Sequence, residues 1–175
     1  MKTLLTVLAA VLCISCTKHP VLPSTDIRFV SISDVGGSAL FEVRFSSKTD
    51  LLSFFKDNTG EGQLGEALIC SLDKTPDFVK WQDVVRSVQG EITEVDNAGT
   101  VGHVYSASMF AMQATDGGVS SSFVSVEELL VILKERDSIF CKVFTSAYSY
   151  GPYYSNVMSI PVSDFILVVK QKRGL

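Results

Sequence analysis

The sequence predicts a mainly β chain folded as a β-sandwich, and three observations carry that prediction. The run from Ala39 to Phe45 alternates, with Phe41, Val43 and Phe45 on one side and Glu42, Arg44 and Ser46 on the other. This is the period of a half-buried strand. About seven short strand-like runs recur along the chain, which is the spacing of an all-β sandwich. They are separated by turn clusters such as Asp34-Val35-Gly36-Gly37-Ser38, Asp96-Asn97-Ala98-Gly99 and Asp116-Gly117-Gly118, whose residue types favour tight reversals. One clear helix start is present: the capping box Ser125-Val126-Glu127-Glu128 heads an apolar run and predicts one short helix near 126–135.

In chain order, Ile27 to Ile32 and Ala39 to Phe45 read as a hairpin-like pair joined by the 34–38 turn. Asp50 can cap a short helical turn reaching Lys56, because Leu51, Leu52, Phe54 and Phe55 cluster too closely for alternation. A glycine-rich loop over 57–65 leads to a strand over 67–72. Residues 78–88 fit either an irregular strand or a helical turn carrying Trp81, Val84, Val85 and Val88. Strands follow over 91–95 and 103–115, the latter alternating weakly, with Val104, Ser106 and Ser108 against Tyr105, Ala107 and Met109. After the helix come strands over 138–147 and 155–162, joined by a Tyr-rich loop, and a last strand-like run over 165–170.

The N-terminus gives an address. Lys2 precedes an apolar run over 4–12 of secretory length, too short to span a bilayer. The run closes on Cys13-Ile14-Ser15-Cys16, which resembles the lipobox of bacterial lipoproteins, with Cys13 where that family usually has Leu. The resemblance implies a signal peptide over 1–15 and acyl chains, palmitate among them, on Cys16. The plainer alternative is a cleaved secretory signal that leaves Cys16 as a thiol. Each buried methylene of such chains contributes roughly 0.8 kcal/mol to membrane anchoring. Residues 16–25 hold Pro20 and Pro23 and read as a tether, leaving 26–175 as a single β-sandwich domain. Thr17 is not the Asp that marks inner-membrane retention in enterobacteria-like lipoproteins, so the resemblance implies the outer membrane of a cell envelope.

Loss of Lys2 leaves 14 basic against 19 acidic side chains, a balance of −5, which argues against nucleic-acid partners. The basic tail, Lys170-Gln171-Lys172-Arg173, reads as a solvated terminus. Cys70 and Cys141 sit in strand-like segments, where they form either one disulfide or two buried thiols.

The stretch Leu133 to Val143, followed by Tyr150-Gly151-Pro152-Tyr153-Tyr154-Ser155-Asn156-Val157, is similar to the last strands of fibronectin type III domains and the loop between them. Ile139 stands at that family's Tyr corner. The resemblance implies an immunoglobulin-like (fibronectin type III-like) sandwich with insertions, of the kind displayed on small envelope lipoproteins of Bacteroidota-like bacteria.

Candidate chemistry is sparse. Gly60-Glu61-Gly62-Gln63-Leu64-Gly65 has dinucleotide-fingerprint spacing, yet such a site needs a strand before it and a helix after it. A calcium loop starting at Asp57 needs a Glu where Leu68 stands. His19 and His103 carry no triad-like motif. No catalytic residue, metal or cofactor is therefore expected, and the chain reads as a binding or structural module rather than an enzyme. Tyr148, Tyr150, Tyr153 and Tyr154 form the binding candidate, since tyrosine offers broad contact area with a polar tip for a glycan or envelope protein. The alternative is that they pack the last hairpin. Phe140 and Phe144 share the side opposite Ile139, Cys141 and Val143; they become a patch for a partner unless the 127–135 helix covers them. A fimbria-like subunit joined by strand addition is the other functional class.

Overall fold

The computed structural model describes residues 21–35, 41–74, 78, 84–95, 102–115, 120–148 and 150–172. Residues 1–20, with the expected signal peptide and Cys16, as well as Trp81 and the turn residues 36–38, 96–99 and 116–118, lie outside them. Among the described residues the order is β1 (Ile27–Asp34), β2 (Phe41–Ser47), α1 (Phe54–Thr59), β3 (Gln63–Ser71), β4 (Arg86–Val95) and β5 (His103–Thr115). Then follow β6 (Ser120–Phe123), α2 (Val126–Lys134), β7 (Ser138–Ala147), β8 (Tyr153–Tyr154), β9 (Met158–Pro161) and α3 (Val162–Lys172). No helix among the described residues is long and apolar enough to cross a membrane.

The chain is mainly β and its strand pairs are antiparallel. The strands follow one hydrogen-bonded path, β1-β2-β5-β4-β3-β7-β8, with β6 on β5 and β9 on β7. The long β5 makes this continuity possible. Its first half pairs with β2 from Ser47↔His103 to Phe41↔Met109, its length pairs with β4, and its far end takes β6. The path curls so that its two ends meet. The Asn156 N–H donates to the Thr25 carbonyl at 2.9 Å, and the Asn156 side chain donates to Asp26 at 2.6 Å.

Alternation decides which face is dry. Phe41, Val43 and Phe45 are buried on β2, Tyr105, Ala107 and Met109 on β5, and Ile139, Cys141 and Val143 on β7. All join one core with Leu129, Ile132 and Leu133 of α2 and Phe165, Val168 and Val169 of α3. Each fully buried large side chain in such a core contributes about 1.5–3 kcal/mol. At its deepest point Phe45 stacks on Tyr105 with ring centroids 5.5 Å apart. Cys70 and Cys141, cross-strand partners on this face, are joined by a disulfide.

Among the described residues three helices stand where one helix and a helical turn were expected. α2 begins at the capping box, where the Glu128 N–H donates to Ser125 Oγ at 3.2 Å. The run 165–170 is a helix and not a strand. Val162, Phe165, Val168 and Val169 are buried at helical spacing while Ser163 and Leu167 are exposed, and Asp164 in the first turn complements the helix dipole. The expected 155–162 strand is shorter, with β9 confined to Met158–Pro161. α1 lies three residues further along than the turn predicted there. Asp50 Oδ1 accepts the N–H groups of Leu52 and Ser53 at 2.9 and 3.2 Å, folding the entry instead. Gly60 ends α1 with φ 77°, a left-handed conformation that glycine adopts without steric cost.

Candidate functional site

Both larger helices pack on the inner face, so among the described residues part of the opposite face of β3, β4, β5 and β7 is left open. A groove of about 730 Å³ runs across it. The groove floor is built from small groups, Ala67 on β3, Gly90 on β4 and Ser108 on β5. Gly90 is required there: a Cβ on it would stand 2.1 Å from the Ser108 carbonyl oxygen. Glycine in a strand interior marks such a close backbone approach.

The walls are aromatic and aliphatic. Phe110 and Phe123 lean together at one side with centroids 5.8 Å apart, and Ile69, Met112 and Phe144 complete the lining. Phe110 is 38% exposed and Phe123 72%. Together the two rings leave roughly 200 Å² of apolar surface in water, equal to about 5 kcal/mol if a partner covered it. Gln89, Glu91, Thr93 and Ser108 supply the hydrogen-bonding groups of the lining. Phe78 shields part of the same face, packing with Ile69, Val84 and Phe144, and Lys142 Nζ lies 5.4 Å from its ring centre.

The tyrosine candidates divide. Tyr150 packs on Phe55 at 5.7 Å, and Tyr153 stacks on Phe54 at 4.2 Å. The Tyr153 hydroxyl donates to the Pro23 carbonyl at 2.9 Å, tying the segment before β1 to the fold. Tyr154 lies 5.6 Å from Phe144. Tyr148 is 74% exposed. These residues cluster around α1 and β7 and do not line the groove. Phe140 is exposed and Phe144 half-buried on the outer face, because α2 packs on the inner one.

Sequence reasoning missed Phe110, Met112, Phe123 and Gly90. A signal for two of them was present: extending the weak parity of β5 past Ser108 places Phe110 and Met112 on the solvent side.

A polar cluster gathers at the start of β5. His103 Nδ1 lies 2.7 Å from Glu94 Oε1, and its ring stacks on Tyr105 at 6.1 Å. The buried Tyr105 hydroxyl accepts the Leu51 N–H at 2.8 Å. Burial, aided by the negative charges of Asp50 and Glu94, pushes the Tyr105 phenol well above its ordinary value. The 57–65 loop serves as the exit of α1 and the entry to β3. Gln63 locks it by accepting the Phe55 N–H at 2.8 Å and donating to the Leu51 carbonyl at 3.0 Å. A helix before the glycines and a strand after them is the reverse of a dinucleotide site.

No protein-family model matches this chain, and no curated protein or solved structure matches it. The groove is the site to interpret, and it must be interpreted from its own chemistry.

Proposed function

We propose that the chain is a lipid-anchored binding module of a bacterial cell envelope, whose groove receives an apolar segment of a partner protein. The observation that carries this reading is the pair Phe110 and Phe123, left exposed beside a floor of small residues. Exposed apolar surface of this kind marks interaction sites. Phenyl walls with few polar groups fit apolar side chains of a protein better than the many hydroxyls of a glycan. A binding role is supported by the described lining, in which aromatic and aliphatic side chains form the walls. The anchor rests on the 13–16 lipobox resemblance, and the immunoglobulin-like character rests on the 133–157 resemblance; the groove depends on neither.

Strand addition in a fimbria-like assembly is the second reading. It is favoured by β6, which pairs with β5 and keeps all four of its residues exposed. Its brevity weighs against it, because strand addition draws its affinity from a row of backbone groups.

The test places a photo-crosslinking amino acid at position 123 in intact cells. One discrete protein adduct is expected, lost in Phe110→Ser and not seen with the probe at Val30 on β1. An absent adduct, or one indifferent to Phe110→Ser, removes the groove as a docking site. Glycan-array binding that drops in Phe110→Ser would transfer the groove to a sugar partner. Mass spectrometry of the mature protein tests the anchor separately, with acylated Cys16 as the expected N-terminus.

A further inference from the structure

A second cleft, of about 310 Å³, opens where the tether joins the β1–β2 hairpin. Its lining is polar. Arg28 of β1 stands opposite Ser46 of β2 in the strand register, Lys48 follows the end of β2, and Ser24 and Thr49 add hydroxyls. Among the described residues neither Arg28 nor Lys48 forms an ion pair. One carboxylate, that of Asp26, shares the cleft, and its Oδ1 already accepts the Asn156 side chain at 2.6 Å. The neighbouring Asp50 carboxylate is turned to the Leu52 and Ser53 amides. The cleft therefore holds two cations against one anion, in a chain whose net charge is −4.

An arginine and a lysine lining one cleft together with hydroxyl-bearing side chains match the charge and the several acceptor oxygens of a phosphate group. We propose that this cleft binds a phosphate-bearing anion, with Arg28 and Lys48 supplying the charge and Ser24, Ser46 and Thr49 the neutral donors. The phosphate comes either from an anionic lipid headgroup or from a soluble ligand. Ser24 lies eight positions after Cys16, so a lipid on Cys16 would keep the cleft within about 30 Å of a bilayer surface. Only that lipid source rests on the anchor proposed above.

The experiment is a calorimetric titration of the full chain in neutral detergent, with inorganic phosphate and with a soluble short-chain phosphatidylglycerol as the two probes. Saturable binding is expected, at least tenfold weaker in R28Q/K48Q, and unchanged in K134Q at the end of α2, which does not line the cleft. Tighter binding of the phosphatidylglycerol assigns the cleft to lipid headgroups; equal binding assigns it to free phosphate. Both outcomes uphold the phosphate site. Absence of saturable binding to either probe, or equal binding by R28Q/K48Q, overturns it. Thermal unfolding confirms that the double variant is folded. If it is not, K48Q alone, just past the strand end, is expected to weaken binding at least threefold, and no change there overturns the proposal equally. These readouts leave the groove untouched, so failure here is distinguishable from failure of the docking site.

Discussion

Gly90 tolerates no side chain. With the Ser108 carbonyl 2.1 Å from where a Cβ would stand, Gly90→Ala must push β4 and β5 apart. We expect it to cost more than about 3 kcal/mol, at the high end for single substitutions, as read by urea denaturation. Tyr105 tests a different principle. Its hydroxyl is the acceptor for the Leu51 N–H inside the core, so Tyr105→Phe should cost about 1–3 kcal/mol at neutral pH by leaving that donor unsatisfied. Burial raises the phenol above its ordinary value. A group raised on folding contributes its stability in full below the unfolded pKa and loses it as pH rises toward the folded one. The protein should therefore lose stability above about pH 10, and Tyr105→Phe should remove that alkaline component in unfolding curves collected from pH 8 to 12. Tyr153 shows how a residue chosen for binding can be held by structure: its ring stacks on Phe54 and its hydroxyl holds Pro23. Lost binding in a Tyr153→Ala variant would thus report a loosened segment before β1 as readily as a lost contact.

Among the elements, β3 and β7 are joined most firmly, by their ladder and by the Cys70–Cys141 disulfide across 71 positions of chain. Closing a loop of that size should contribute about 4 kcal/mol. Reduction, or the paired replacement Cys70→Ala/Cys141→Ala, should lower stability by that order in denaturant titrations of the full chain. An unchanged midpoint would mean that the bond adds nothing to the fold. The elements differ in how plainly the sequence announces them. The 41–45 alternation is recovered in β2, and β5 occupies the 103–115 run with Tyr105, Ala107, Met109 and Ala111 turned inward. α2 is legible because its cap is a local hydrogen bond. α3 is not: Ile166, Leu167, Val168 and Val169 form a continuous apolar run that suits a strand as well. What selects the helix is tertiary, since Phe165, Val168 and Val169 fill the face left open by the curled sheet.

At the scale of the molecule, the sequence conveyed that the chain is mainly β, but not that its strands link into one antiparallel path around two helices. Strand pairing is a long-range matter. β2 finds β5 and β3 finds β7 across intervening elements, and no local signal encodes such partners. The groove was hidden for the same reason, because its residues come from strands far apart in sequence and only Phe144 was marked beforehand. Its rings are exposed, so Phe110→Ser/Phe123→Ser should change unfolding free energy little, within roughly 1 kcal/mol for exposed positions, as read by urea denaturation. A large loss would instead make the two rings part of the core. The order of elements also governs timing. α3, the last to be synthesised among the described elements, supplies Phe165, Val168 and Val169 to the same core as Phe41 and Val43. Until it arrives, the sheet has an unroofed apolar face and its long-range ladders close slowly. The interval between translation and burial is thereby lengthened, an interval that the export proposed for this chain would use for threading through a translocation pore.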